Sequence, residues 1–435
     1  MKLLRILRVL GAAVGLSLLV AYTVGSLDWC RRSPAQSPRL ERNESAQGPL
    51  LAGAAEVQLQ PPYPVVKAGY APPRPEVTVA AHPLHARALV LQVSGLKVAI
   101  ASLEVLLIPE SLSHEVRRKL QDLGLAQIWL GATHTHSSMG GFDPRPISEM
   151  AGMGRYEEEA EQSLVKATVD AIRAAAATLM PAQVEAGEAR FPDLVTARSE
   201  GSEPDGRMSR IVIRQGPSML AQLVIFAAHP TLLPRQMDAL DPDFPGLFSE
   251  REHRSGHGIT LFLQGAVGNV SVAFSASDPW IREQEFAKEL SHANAGVALS
   301  PLGPTPLEVR AATIGLPNPD ASRSAPRGLQ NIGRNLLCRS APSKVEVSEL
   351  KLGTLKLLFL PGEPTVGSEK RLLQASGADR VVSLTNGYFG YLEAPDLVLA
   401  HQGESKRQYF GPELLEVLVS AARLAGHSTQ LTRGN

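Results

Sequence analysis

Segments of two different hydrophobic periods alternate along this chain, and that interleaving restricts its possible folds more than any other feature. Alternation in Ala88-Leu-Val-Leu-Gln-Val93, a Ser94-Gly95 turn and Lys97-Val-Ala-Ile-Ala-Ser-Leu103 predict a β-hairpin. Further strands are predicted at 127–130, 209–214, 220–227, 259–263, 355–360 and 381–385. Helical periodicity fills the intervals: in 156–179, Leu164, Thr168, Ile172 and Ala176 recur every fourth position, and 109–123, 284–299 and 412–425 are similar. Strands and helices in alternation make the class α/β, with mixed β-sheets layered with helices in one large domain over residues 63–430.

The 435 residues, 44% of them apolar, are ample for a substantial core. Forty-three basic and 43 acidic residues cancel, so no overall field favours nucleic acid, and none is expected as a partner. The two cysteines, Cys30 and Cys338, exclude a disulfide framework and a thiolate zinc cage but leave room for one bridge.

At the N-terminus Lys2, Arg5 and Arg8 precede an uncharged stretch, 9–27, about long enough as a helix to cross a bilayer. Residues 1–30 therefore read as a signal or anchor segment. Val24 and Ser26 fit a cleavage site only loosely, which favours an uncleaved anchor, with the membrane surface as a partner. The basic flank puts the remainder on the extracytoplasmic side. Residues 31–62, rich in Pro, Ser, Gln, Arg and Glu, read as a flexible linker, and 315–343 as a long surface excursion.

Four predicted strands run directly into residues able to do chemistry. The first leads to Gly131-Ala-Thr-His134-Thr-His136-Ser-Ser-Met-Gly140-Gly141, where two-residue spacing sends both imidazoles to one face. Such a pair can bind a metal, or one can bind while the other handles substrate or a proton. The second strand ends in His229-Pro230-Thr231, the third in Pro361-Gly362-Glu363-Pro364-Thr365, and the fourth in Asn386-Gly387-Tyr388-Phe389-Gly390-Tyr391. Each motif alone is commonly structural. Together they offer His, His, Glu and Tyr at strand ends, where α/β proteins assemble their sites.

These motifs, THTHS followed by GG, HPT, a downstream DFPG, Gly268-Asn-Val-Ser271, PGEPT and NGYFGY, occur in the order found in neutral/alkaline ceramidases, which the chain resembles from about Gly69 to Leu418. Gly69-Tyr70, Leu84-His-Ala-Arg87 and Tyr409-Phe-Gly-Pro412 extend the likeness. The resemblance implies a ceramidase-like catalytic domain and a zinc-dependent hydrolase of N-acyl amides, ceramide being the family substrate. It places His134, His229, Glu363 and Tyr391 as Zn2+ ligands, His136 and Arg198 as residues lining the site, and Ser271 near the substrate amide. Zinc accepts such N and O ligands and can bring the pKa of a water towards neutrality. Arg198 or His136 would add donors at the carbonyl, and His136 is the expected acid for the leaving amine.

Several positions depart from the family pattern. Asn269 stands where Asp is usual, and Val272 where Pro follows the serine. By a gapless count, Gly403 falls where a tyrosine is expected, which predicts a missing phenol and a larger subsite, with Tyr388 or Tyr409 as possible compensation. The chain also ends at Asn435, before the immunoglobulin-like domain of full-length neutral ceramidases. An altered substrate, such as an N-acyl amino acid or a cell-envelope lipid, and a non-catalytic lipid-binding homologue are the alternative expectations.

Overall fold

The alternating segments build three five-stranded sheets, each combining antiparallel strands with one parallel pair. The computed structural model describes residues 2–32, 37–72, 74–199, 203–303 and 306–427. In the first sheet the order is Gln127–Ala132, Leu96–Leu103, His85–Val93, Leu50–Gln58, Met180–Pro181. The second runs Ile259–Gln264, Ser218–Phe226, Arg207–Gln215, Gln183–Arg190, Ser300–Pro301. The third runs Arg39–Gln47, Pro306–Gly315, Lys344–Leu352, Leu355–Phe359, Arg380–Val382.

One face of each sheet turns inward to a shared core. Ile100 and Trp129 of the first sheet, Leu223 and Leu263 of the second, and Leu350 and Phe359 of the third all belong to it. Trp129 stacks on Phe359 with ring centroids 4.5 Å apart and donates its indole N–H to Ser348 Oγ at 2.9 Å. Each fully buried Leu or Phe contributes about 1.5–3 kcal/mol to folding. The outer faces are covered by helices: Glu110–Lys119 and Glu158–Ala177 on the first sheet, Asp243–Arg254 and Pro279–Ala295 on the second, Val366–Ser376 and Leu414–Gly426 on the third. The mixed α/β class expected from sequence is the class observed.

The parallel pairs decide where function can sit, because strands running the same way release their following loops at one end of the molecule. Backbone and side-chain hydrogen bonds stitch that end together. Leu130 N donates to Asn386 Oδ1 at 2.8 Å, and Ser383 N donates to Gln264 O at 2.8 Å.

Two expectations need correction. Within the expected linker 31–62, Arg39–Gln47 and Leu50–Gln58 are strands rather than flexible chain, while 33–36 lie outside the described residues. Arg39–Gln47 is a sheet edge paired only with Pro306–Gly315, so most of its side chains face water and its composition is polar. The segment 315–343 is more than a surface loop: it contains the helix Gln330–Ser340, and Cys338 forms a disulfide with Cys30. That helix also receives the end of the N-terminal helix Lys2–Ser26, with Asn331 Nδ2 donating to Ser26 O at 2.7 Å and Trp29 N to Asn335 Oδ1 at 2.9 Å. Among the described residues no helix is long and apolar enough to cross a membrane; the side chains of residues 1–10, 12 and 13 lie outside them.

Candidate metal centre and cleft

His134 emerges two residues beyond the strand Gln127–Ala132 in the left-handed region, at φ 73°. A β-carbon-bearing residue held there costs energy, a strain that concentrates at functional sites. His229 leaves the strand Ser218–Phe226, and its backbone N–H donates to Val270 O at 3.1 Å. Glu363 follows the strand Leu355–Phe359 and pairs in a short parallel ladder with Tyr391. Two residues further on, Thr365 caps the helix Val366–Ser376, so PGEPT both delivers a carboxylate and starts a helix.

The histidine tautomers follow from their partners. His134 Nδ1 lies 2.7 Å from Leu106 O, His136 Nδ1 2.8 Å from Gly69 O, and His229 Nδ1 3.0 Å from Val270 O. A carbonyl only accepts, so in each neutral ring Nδ1 carries the hydrogen and Nε2 presents a lone pair. The three rings are clustered, with centroids 4.9 to 6.0 Å apart. Glu363 Oε2 lies 3.3 Å from both His134 Nε2 and His229 Nε2. Among the described residues neither that oxygen nor the Nε2 atoms of His134 and His136 has a hydrogen-bond partner, although all are buried. Buried acceptors facing one another without donors are costly unless a cation lies among them. The residues present therefore fit a divalent metal, and the three histidines are mutually close enough to hold one.

Electrostatics agree with that geometry. Burial, opposed in part by Glu363, brings the His229 imidazole down to about 4, and burial with the neighbouring imidazoles takes His136 well below its ordinary value. Both imidazoles are therefore neutral at physiological pH. Burial alone would raise the Glu363 carboxyl, but His134 and His229 hold it well below the usual carboxylate range. Burial, then Glu363, raises the phenols of Tyr388 and Tyr391 well above their usual range.

Of the residues singled out from sequence, His134, His136, His229, Glu363, Tyr391 and Arg198 come together. Tyr391 Oη lies 3.1 Å from His229 Nε2, and Arg198 Nη1 donates to His229 Nε2 and, at 3.3 Å, to Tyr391 Oη. Ser271 is half-buried beside them, in backbone pairing with Thr196 and His229. His136, expected as the acid for the leaving amine, is a neutral ring with a buried Nε2 lone pair, so it would take up a proton before delivering one. Asn269 is buried, with Oδ1 accepting from Val366 N at 3.0 Å and its carbonyl from Arg198 N at 2.9 Å.

Gly403 does not open a subsite. It lies outside the cleft lining at φ 56°, and a β-carbon there would sit 2.4 Å from Glu393 Oε2. The phenol is supplied elsewhere: Tyr388 Oη donates to Glu363 Oε1 at 2.7 Å, and Tyr409 lines the cleft. Sequence pattern also missed Gln264, whose Nε2 donates to Thr133 O at 2.9 Å and Ala228 O at 3.0 Å, the residues just before two histidines. An amide ending a buried strand was its only signal.

The cleft above the site holds about 310 Å³. Leu106, Leu107, Ile147 and Met153 give it apolar surface, and Lys406 and Arg407 bring positive charge. Gly69 must be glycine, because a β-carbon would approach His136 to 2.6 Å.

Comparison with known proteins agrees with this arrangement. The family model described as neutral/alkaline non-lysosomal ceramidase, N-terminal, matches residues 61–203. The fold is similar to the crystal structure of neutral ceramidase from Pseudomonas aeruginosa, with a TM-score of 0.74 at 17% identity over 86% of this chain and 74% of that one. A structure titled as ceramidase complexed with C2 gives 0.75 at 17% identity, over 88% and 76%. No curated protein matches significantly. The resemblance seen in the motifs thus stands, in sequence over 61–203 and in fold over most of the chain.

Proposed function

We propose that this protein is a zinc-dependent amidohydrolase that cleaves the N-acyl amide bond of ceramide or a related lipid into a fatty acid and an amine. The observation that carries this reading is the set of unpartnered acceptors, His134 Nε2, His136 Nε2 and Glu363 Oε2, at the floor of a cleft with apolar surface. His134, His229, Glu363 and Tyr391 would hold the metal. A bound zinc supplies Lewis acidity and lowers the pKa of water. The carbonyls of Leu106 and Val270 keep two ligand imidazoles in the Nε2-facing tautomer, and Tyr388 fixes the Glu363 carboxylate. Arg198 has a guanidinium within reach of a developing oxyanion, and His136 Nε2 can accept a proton and return it to the leaving amine.

The test is to purify the protein without chelator, measure its metal, incubate it with a lipid extract and identify the released amines and fatty acids. One zinc with amide hydrolysis lost on chelation is expected; metal without hydrolysis of any acyl amide would leave a lipid-binding protein. A second substrate reading, an amide bearing a carboxylate such as an N-acyl amino acid, is favoured by Lys406 and Arg407. Export is part of the proposal, with the N-terminal segment as membrane tether. The Cys30–Cys338 bond favours an oxidising compartment. Protease added to intact cells should reach the domain, and protection equal to that of a cytosolic marker would contradict export.

A further inference from the structure

A second group of buried ionisable side chains lies behind the site loop. His82 comes from the segment before the first sheet's strand His85–Val93, Asp241 from the loop before the helix Asp243–Arg254, and Glu283 from the helix Pro279–Ala295. Asp241 and Glu283 are fully buried, whereas the His82 side chain is 34% exposed. His82 Nδ1 lies 2.8 Å from Asp241 Oδ2, and one ligand atom from each of the three residues falls within 4.8 Å of the others. Among the described residues no hydrogen-bond donor reaches either oxygen of Glu283. The cationic side chains nearby are turned to carbonyls instead: Lys67 Nζ donates to Met237 O at 2.7 Å, and Arg282 to Leu232 O.

The remaining acid, Asp243, is served by backbone, accepting from Phe244 N at 2.7 Å and Leu232 N at 3.1 Å. Asp241 Oδ1 accepts from Asp243 N at 2.6 Å. Those bonds still leave Glu283 facing another carboxylate out of water, an arrangement that requires either a retained proton or a cation. Burial, then Asp241 and Asp243, pushes Glu283 up to about 10, and burial takes Asp243 to about 7. A shared proton would satisfy Asp241 and Glu283, and His82 would then serve only as a hydrogen-bond partner of Asp241. A metal ion uses all three, and His82 opens on a solvent-filled cleft of about 790 Å³ through which an ion can enter.

We propose that His82, Asp241 and Glu283 form a second divalent-cation site, separate from the His134/His229/Glu363 centre. One imidazole nitrogen and two carboxylates suit Zn2+ or Mn2+ better than an all-oxygen ion such as Ca2+. The role is structural. Asp241 N donates to Ser137 O at 2.8 Å and its carbonyl accepts from Thr135 Oγ1 at 3.1 Å, so an ion here pins the loop that carries His134 and His136 to two helices of the second sheet.

The experiment titrates zinc into chelator-treated full-length protein carrying His229→Ala, which disables the first centre and so separates the two readings. One equivalent of Zn2+ should still bind and raise Tm. Adding Glu283→Gln should abolish that equivalent, and the milder, half-exposed His82→Ala should weaken it at least 10-fold without preventing folding. Manganese should compete for the same equivalent. No zinc bound to the His229→Ala protein, or the same stoichiometry and affinity after His82→Ala and Glu283→Gln, would overturn the proposal. So would a Glu283→Gln protein that is more thermostable than its parent at every zinc concentration, the result expected of a carboxyl that simply keeps its proton.

Discussion

The two walls of the cleft are made in different ways. On the metal side, His134, His229 and Glu363 each leave a buried strand, and neighbouring strand ends are tied by Gln264 and Asn386. Opposite, Arg145, Ile147 and Met153 come from a segment of short helical turns, and Lys406, Arg407 and Tyr409 from another. That wall is held by side-chain pairs: Arg145 with Asp143 at 2.9 Å and with Tyr388 O at 2.9 Å, and Arg407 with Glu404. Backbone pairing and buried hydrogen bonds hold the first wall, whereas loop side chains can rearrange. On the proposed function, reaction class would belong to the rigid wall and substrate choice to the adjustable one.

The largest effects should come from the rigid wall. His229→Ala and Glu363→Ala should each lose the metal and lower kcat/KM by about 1000-fold or more. Ser271→Ala, at a residue that pairs with His229 through its backbone, should keep the metal and most activity. Elemental analysis beside turnover checks this; equal metal loss in all three would erase the distinction between ligand and neighbour. Gln264→Leu comes next. It strips the donor from two buried carbonyls, at about 1–3 kcal/mol each, and frees both histidine-bearing exits. Thermal unfolding should register the stability loss, and an unchanged Tm with unchanged zinc affinity would show that the strand ends need no brace.

This division also explains what sequence could reveal. The positions of His134, His229 and Glu363 were legible because each follows an apolar strand, and THTHS, HPT and PGEPT keep their local form. Strand Leu50–Gln58 was missed because Ala52, Gly53, Ala54 and Ala55 have low strand propensity. Close packing under the helix Glu158–Ala177 selects those small residues: a β-carbon on Gly53 would meet Ala175 O at 2.1 Å. Tertiary contact outweighs local preference there. Apart from Tyr409, the loop wall and the His82, Asp241 and Glu283 group were not legible, because their members are scattered along the sequence and meet only in the folded chain.

Gly403 tests whether a sequence departure lies in the cleft at all. Gly403→Tyr should destabilise the fold by about 1–3 kcal/mol, from left-handed backbone strain and collision with Glu393, without raising ceramide hydrolysis. A gain in ceramide turnover at unchanged Tm would move this residue into the substrate wall. Tyr388→Phe is the finer probe of the rigid wall. Losing one hydrogen bond to Glu363 should weaken zinc binding about 10-fold while leaving Tm nearly unchanged. Competition with a chromophoric chelator measures it, and undiminished affinity would leave the phenol no positioning role.

The smallest effect should appear on the adjustable wall. Lys406 is exposed at the cleft and lies outside the metal centre, so Lys406→Ala should change neither zinc content nor Tm. If that wall reads charge, the variant should lose kcat/KM for an N-acyl amino acid relative to ceramide by roughly 2- to 5-fold, since an exposed, solvent-screened pair is worth about 0.5–1 kcal/mol. The loss should shrink as salt rises, because charges in contact with solvent are screened over about 8 Å at physiological ionic strength. Arg407 complements this test: its guanidinium lies 5.8 Å from the Tyr391 ring and pairs with Glu404, so its removal would disturb the metal side too. A substrate ratio unaffected by Lys406→Ala at low and high salt would mean that the loop wall selects by shape alone, with its apolar residues Ile147 and Met153 as the next positions to vary.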